Sequence, residues 1–348
     1  MIDELIRQWD GFAVVTAYDE PTKVWLFIAM HDNTLGPCTG GTRMKLYGSP
    51  EDGLYDAMRL AEGMTYKWAG VDIPFGGGKG VIALAEPLAY GDRRRILKRY
   101  GRLVESLRGG FATGQDLGTT PEDMLTIAEE TRFVHGIDYA TKSALDPGPF
   151  TAHGVFVGIR AAVAHTSGTD DLSGKTVLIQ GAGDVGLPLG RALAEAGATL
   201  LVSDLDDEKA RALADEVNGT VVSPDDVYGT KCDVYAPCAV GATVNAATIR
   251  NLACSIVAGS ANNQLAEPED ADRLLKRGIL YAPDYVINGG GATAFGLVAQ
   301  GITDNTELMD RVSGIGPRLA AIFAEAGEHN ESPVDAARRL VERTLGRA

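Results

Sequence analysis

The chain has 348 residues, 45% of them hydrophobic, which is enough for two ordinary domains with filled cores. Its 47 acidic residues against 32 basic ones give a formal charge of -15, a balance that argues against nucleic acid or an anionic membrane surface as a partner. The one dense basic cluster, Arg93-Arg94-Arg95 with Lys98-Arg99, falls in a helical pattern and reads as its solvated face.

Taken in chain order, MIDELIRQWDGF carries acidic residues and no apolar run, so neither a secretory signal nor a membrane span is expected and the chain is placed in the cytoplasm. VVTAY and VWLFIAM predict two strands joined by a turn at Asp19-Glu20-Pro21. GPCTGGTRMKLYG predicts a glycine-broken strand. A helix then starts near Pro50, with Leu54, Ala57, Met58, Ala61 and Met64 at helical spacing and Lys67 near its end. GGGKGVIALA returns to a strand, and its Lys79 directly follows three glycines. A backbone stripped of side chains lets another group come close to that ammonium, and an apolar, shielded setting would lower its pKa and make it a usable base.

A helical pattern over 90–108 precedes FATGQD, a short strand ending at Asp116, and TTPEDM opens a helix with Thr120 as N-cap. Residues 136–150 combine glycine, two prolines and little periodicity, and mark the domain boundary. A helix at 151–165, the strand KTVLIQ, a helix at 184–196 and the strand TLLVSD follow, with later apolar runs TVVS, CDVYAPCA, IVAGSA and LYAPDYVING. Near-continuous apolar strands suit a parallel sheet covered on both faces. Helices at about 304–325 and 333–345 end the chain and could return to the first domain.

GAGDVG at 181–186 matches GxGxxG between a strand and a helix. Gly181 permits the tight turn, Gly183 the approach of a pyrophosphate, and Gly186 close helix–strand packing, with Asp184 and Val185 between them. Asp204, at the end of the next strand, is placed to accept from ribose hydroxyls. Asp206 and Asp207 would repel a 2'-phosphate, which favours NAD over NADP. Cys38, Cys232, Cys238 and Cys254 have no CxxC spacing and read as reduced thiols. The five scattered histidines draw no metal site.

The ordered blocks GGTRM (40–44), GMTYK (63–67), GGGKGVI (76–82), TGQDLGTTPEDM (113–124), TAHGVF (151–156), GAGDVG, CDVYAPCAVGATVN (232–245), AGSANNQL (258–265) and YAPDYVINGGG (281–291) resemble the Glu/Leu/Phe/Val amino-acid dehydrogenase family over nearly the whole chain. The resemblance implies an α/β protein of two domains with a cleft between them. An N-terminal catalytic domain would occupy 1–147 and a Rossmann NAD-binding domain 148–325, with the helix in 326–348 returning to the first. It also implies reversible deamination of an L-amino acid to its 2-oxo acid and ammonia, and a homo-oligomer.

Carried over residue by residue, Lys67 matches the lysine that holds the substrate carboxylate, Lys79 the acid–base lysine, and Asp116 the carboxylate that exchanges protons with the amino nitrogen. Gly40 and Gly41 match backbone near the substrate carboxylate, and Asn263 a residue that reaches substrate and cofactor. Thr151 matches a contact to the nicotinamide carboxamide. Cys238, Ala239 and Val240 match cofactor-cleft residues, and Asn262 and Asn288 are counted with them. Cys238 is not expected to be a nucleophile, since hydride transfer needs no thiol.

Within the family, branched-chain enzymes commonly carry leucine before the double glycine and alanine two before the catalytic aspartate; here these positions are Thr39 and Gly114. Gly114 resembles the phenylalanine and tryptophan enzymes, while Ala292 and Phe295 replace two valines that shape the branched-chain pocket. His135 stands where branched-chain members usually carry threonine. A phenylalanine or tryptophan substrate is expected, with a branched-chain enzyme of enlarged pocket as the alternative and a non-catalytic NAD-binding protein as a remote one.

Overall fold

The computed structural model describes residues 2–89, 91–138 and 143–347, so residues 139–142 of the expected boundary segment lie outside the described residues. The chain divides into two units, 1–146 with 295–302, and 147–294 with 303–348.

In the first unit a sheet carries a helical layer on each face, so its central strands are buried almost throughout. Helix α1 (Ile2–Gln8) precedes β1 (Ala13–Asp19) and β2 (Val24–Asp32), which pair antiparallel around the expected turn. β3 (Cys38–Leu46), α2 (Pro50–Gly70), β4 (Gly76–Leu84), α3 (Asp92–Ser106), β5 (Phe111–Gln115) and α4 (Pro121–Ala128) follow, and the strand order is β1-β2-β4-β3-β5. A two-stranded pair, β6 (Ile137–Asp138) and β7 (Ser143–Ala144), lies beyond the sheet order. Val81 and Ala83 of β4 pack with Leu54, Ala57, Met58 and Ala61 of α2, while Ile82 packs with Ile96, Leu97 and Tyr100 of α3. Lys79 therefore shares the α2 face of the sheet by its odd position in the alternation. Ser49 caps α2 and Thr120 caps α4, the latter in a reciprocal capping box with Asp123.

The basic cluster of α3 is tied to acids of its own unit: Arg93 pairs with Asp123, Arg94 and Lys98 with Glu129, and Arg95 and Arg99 with Asp19. It is a solvated, neutralised face.

The second unit begins with α5 (Gly148–Ser167), three residues before the helix expected from sequence. β8 (Thr176–Gln180), α6 (Gly186–Glu195), β9 (Thr199–Ser203), α7 (Asp207–Glu216), β10 (Thr220–Val221), β11 (Val234–Pro237), α8 (Ala246–Ile249), β12 (Ile256–Val257), α9 (Asp270–Lys276) and β13 (Leu280–Tyr281) come next. These strands form a parallel sheet in the order β10-β9-β8-β11-β12-β13, which is the doubly wound dinucleotide-binding order. The LYAPDYVING run is strand only to Tyr281. Asp284 then opens the short helix α10 (Asp284–Ile287), and α11 (Gly290–Ala299) follows.

Two expectations at the C-terminus need correction. The segment near 304–325 is two helices, α12 (Asn305–Ser313) and α13 (Ile315–His329), separated at Gly314. The last helix, α14 (Pro333–Thr344), does not group with the first unit: Arg339 and Arg343 pair with Glu325 of α13, and Val334 packs on the core of the parallel sheet. Its apolar stripe meets a partner already present beside the sheet. The segment that joins the first unit is 295–302 instead.

Candidate active site and nucleotide-binding turn

Lys79 is 5% exposed at the middle of β4, opposite Ala29 of β2. The glycines around it are filled by the fold. A Cβ on Gly77 would lie 2.4 Å from the backbone nitrogen of Thr65 and 2.5 Å from the Ala61 carbonyl of α2, and one on Gly80 would lie 1.9 Å from the Tyr100 hydroxyl. The close approach expected at this run is thus made at least in part by the helices on both faces of the sheet. Gly40 and Gly41 serve similarly: a Cβ on the first meets the Gly78 carbonyl at 1.7 Å, and on the second the Asp116 Cβ at 2.7 Å. Gly41 lets the end of β5 close on β3, which sets where Asp116 stands.

Asp116 receives two cations on one oxygen, Lys79 Nζ at 3.2 Å and Arg43 Nε at 2.9 Å. Arg43 continues to Asp56 at 3.2 Å, and Asp56 also accepts from Tyr47 at 2.7 Å and from Arg59 at 3.0 Å. Burial alone would raise the pKa of Asp116, but Lys79 and Arg43 overcome it and hold the carboxyl at about 2. Burial lowers the pKa of Lys79 despite Asp116, and Arg43 adds to the lowering. Burial sets the direction for Lys79, and the two cations sharing one carboxylate set it for Asp116. Sequence reading missed Arg43, Asp56 and Tyr47 as parts of this site. The available signal was GGTRM itself, where Arg43 stands two positions after Gly41 and so on the same face of β3.

Lys67 is half-buried in the last turn of α2, the helix that covers the Lys79 face. Thr39 Oγ1 lies 3.3 Å from His135 Nε2, and burial pushes that imidazole down to about 4. The His135 ring lies 5.2 Å from the ring of Phe75. Gly136 packs on the Phe295 ring, and a Cβ on Gly114 would come only within 3.8 Å of the His135 carbonyl. The structure thus brings Thr39, Gly114 and Phe295 to one neighbourhood around His135. Ala292 groups with the second unit, three residues before Phe295 on the same helix.

In the second unit Gly181 has φ +107, and a Cβ on Gly186 would meet the Gly181 carbonyl at 1.8 Å, so both glycines are required by the turn itself. Gly183 differs: nothing lies within 4 Å of its missing side chain. Asp184 beside it is exposed and Val185 is half-buried. Asp204 accepts from the Ala182 amide at 2.8 Å and from the Asp206 amide at 2.9 Å, leaving further lone pairs for hydroxyl donors. Gly181 also packs on Cys238 and Ala239 at the end of β11, beside exposed Val240. Burial raises the Cys238 thiol pKa, consistent with a packed residue.

Asn288 donates to the Asn262 side chain at 2.9 Å and to the Ser260 carbonyl at 3.2 Å, and the Asn263 carbonyl accepts from Ala242 at 2.7 Å. Thr151, in the first turn of α5, donates to the Pro147 carbonyl at 2.9 Å. The residues of this set from the loops after β8, β9, β11 and β12 stand at the carboxyl ends of the parallel strands, where such sheets bind dinucleotides. The open Gly183, the helix N-terminus and the Asp204 carboxylate fit NAD.

Among the described residues, no group of three or more His, Cys, Asp or Glu side chains could hold a metal ion. None of the helices among them is long and apolar enough to cross a membrane.

Residues 14–133 match the model of the Glu/Leu/Phe/Val dehydrogenase dimerisation domain, and residues 201–337 that of Glutamate/Leucine/Phenylalanine/Valine dehydrogenase. A leucine dehydrogenase of Bacillus cereus is 40% identical over 99% of this chain and 93% of its own. An L-tryptophan dehydrogenase of Nostoc punctiforme is 42% identical over 98% of this chain and 95% of its own. The crystal structure of L-tryptophan dehydrogenase from that organism aligns with a TM-score of 0.85 at 41% identity, covering 99% of this chain and 98% of that one. With an NAD-binding fold and full-length similarity of this kind, the chain belongs to the glutamate/leucine/phenylalanine/valine dehydrogenase family and is an NAD-dependent amino-acid oxidoreductase.

Proposed function

We propose that the enzyme oxidatively deaminates an aromatic L-amino acid, phenylalanine or tryptophan, to its 2-oxo acid and ammonia. The observation that carries the substrate reading is the neighbourhood of Thr39, Gly114, His135, Phe75 and Phe295. It offers aromatic surface beside a strand end with no side chain at Gly114. Offset or edge-on rings favour an aromatic partner by about 0.5–1.5 kcal/mol beyond area burial.

Lys67 would hold the substrate carboxylate, while Gly40 and Gly41 keep the backbone near it free of side chains. Asp116 would take a proton from the substrate ammonium, and once the resulting amine has lost hydride from Cα, Lys79 would activate the water that attacks the iminium. These two roles belong to one protonation state. Deprotonation of Lys79 removes one of the two cations that hold Asp116 low, so the carboxylate becomes a better base when the amine is neutral. NAD, when bound, accepts the hydride from Cα. Gly181, Gly183, Asp184, Val185, Gly186 and Asp204 would seat its pyrophosphate and adenosine, with Thr151, Cys238, Ala239, Val240, Asn262 and Asn288 lining the rest and Asn263 reaching the substrate. Ala292, with Phe295, would shape the pocket for the side chain.

The 40% identity to a leucine dehydrogenase supports a second reading, a branched-chain substrate. NADH formation across a panel of L-amino acids decides between them. The expected result is a higher kcat/KM for phenylalanine or tryptophan than for leucine or valine, and the reverse order overturns the aromatic reading. Homo-oligomeric assembly, supported by the dimerisation-domain match at 14–133, is checked by light scattering.

A further inference from the structure

Cys232 and Cys254 are separated by 21 intervening positions in sequence but stand side by side at the amino-terminal edge of the parallel sheet. β11 and β12 pair with Val234 opposite Ile256 and Tyr235 opposite Val257. Counting back two residues on each strand puts Cys232 opposite Cys254, and the ladder continues that far, since the Cys232 amide donates to the Ala253 carbonyl at 3.1 Å and the Ser255 amide to the Asp233 carbonyl at 3.1 Å. Each thiol is the leading influence on the pKa of the other. Neighbouring strands lie about 4.7–4.9 Å apart, within the range of about 4.4–6.8 Å that a disulfide spans between Cα atoms. Both cysteines are half-buried, and they line a cavity of about 410 Å³ with Lys231, Thr176, Ser255 and Arg277. Lys231 and Arg277 there outnumber the one carboxylate of the lining, Asp233, whose Oδ2 accepts from the Thr176 amide at 2.7 Å, so the cavity suits an anionic small molecule.

We propose that Cys232 and Cys254 form a thiol–disulfide exchange site for an anionic low-molecular-weight disulfide of the glutathione type. The site lies at the opposite edge of the sheet from the glycine turn, which follows the carboxyl end of β8, and it is independent of the substrate assignment. Cys254 is the attacking sulfur: the neighbouring Cys232 thiol lowers its pKa, outweighing burial, whereas Cys254 raises that of Cys232. The Cys254 thiolate forms a bond to one sulfur of the small disulfide and expels the other as a thiolate, which takes up a proton. Cys232, losing its proton to solvent, then attacks Cys254 Sγ and expels the second small thiol. The protein is oxidised by two electrons and the small disulfide is reduced to two thiols. Cys38 and Cys238 are poorer candidates, burial pushing the first up to about 12 and raising the second.

The test incubates the full-length protein with oxidised glutathione, followed by thiol titration and peptide mapping without reductant. Wild type is expected to lose two titratable thiols and to yield a Cys232–Cys254 cross-linked peptide, reversed by dithiothreitol. C232S is expected to stop at a glutathione adduct on Cys254, and C254S to remain largely unmodified. Retention of all four thiols by the wild type, a persistent adduct in place of the cross-link, or a cross-link through Cys38 or Cys238 would overturn the proposal. Far-UV circular dichroism of the two variants separates a folding defect from lost reactivity.

Discussion

Lys79 Nζ lies 3.2 Å from Asp116 Oδ2, the same oxygen that Arg43 Nε reaches at 2.9 Å. One carboxylate therefore answers two cations in a buried setting, and Asp56 takes the excess charge through Arg43. A lysine in this position is easier to deprotonate than an exposed one, and the aspartate harder to protonate. The second of these effects depends on the first group keeping its proton.

The pH dependence follows with a definite sign. If neutral Lys79 is the working base, kcat/KM for deamination rises with pH as the amine loses its proton, with an apparent pKa below that of an exposed lysine. Arg43→Gln removes a charge that lowers the pKa of Lys79, so the rise should move to higher pH. Superimposable profiles for the variant and wild type would refute this electrostatic link.

Removing the lysines should split the kinetic constants. Lys79→Ala is expected to lower kcat by about 10²–10⁴-fold while NAD binding, followed by fluorescence titration, stays near wild type. Lys67→Ala should raise substrate KM by roughly 10- to 100-fold, the scale of a lost hydrogen bond to a charged group. A near-normal kcat for the Lys79 variant sinks its role as base.

Much of this arrangement was legible in the sequence because it is carried by local patterns. The run GGGKGVIALA placed Lys79 within a strand, GxGxxG placed the turn between β8 and α6, and Thr120 announced its own cap. What was not legible depends on contacts distant in sequence. Arg43 reads as one basic residue in a strand until Asp56 and Asp116, 13 and 73 positions away, are brought to it. Gly77, among the glycines before Lys79, gave no sign that Thr65 and Ala61 of α2 were what it admits. The docking of α14 likewise depended on a partner that its own apolar stripe does not name.

Pocket shape has a single-residue test. A Cβ on Gly114 fits, its one neighbour within 4 Å being the His135 carbonyl at 3.8 Å, so Gly114→Ala should fold normally. It narrows the strand end, and kcat/KM for tryptophan relative to leucine should fall by roughly tenfold. An unchanged ratio across the substrate panel would place the side-chain pocket away from Gly114.

The glycines of the two motifs should respond in opposite ways to the same added methyl group. Gly77→Ala puts a Cβ 2.4 Å from a backbone nitrogen of α2, which cannot turn aside as a side chain would, so the helix must move off the sheet. That overpacking is expected to cost about 1–3 kcal/mol of stability and, because Lys67 and Lys79 sit on the two elements pushed apart, to lower activity as well. Gly183→Ala meets nothing within 4 Å, and its stability without cofactor should stay within about 0.5 kcal/mol of wild type. The methyl group instead occupies the space a pyrophosphate needs, so NAD affinity should fall. Urea unfolding of both variants, with and without NAD, measures the two effects together. Loss of stability in Gly183→Ala without NAD, or unchanged affinity for NAD, would contradict the assignment of this open glycine to the cofactor.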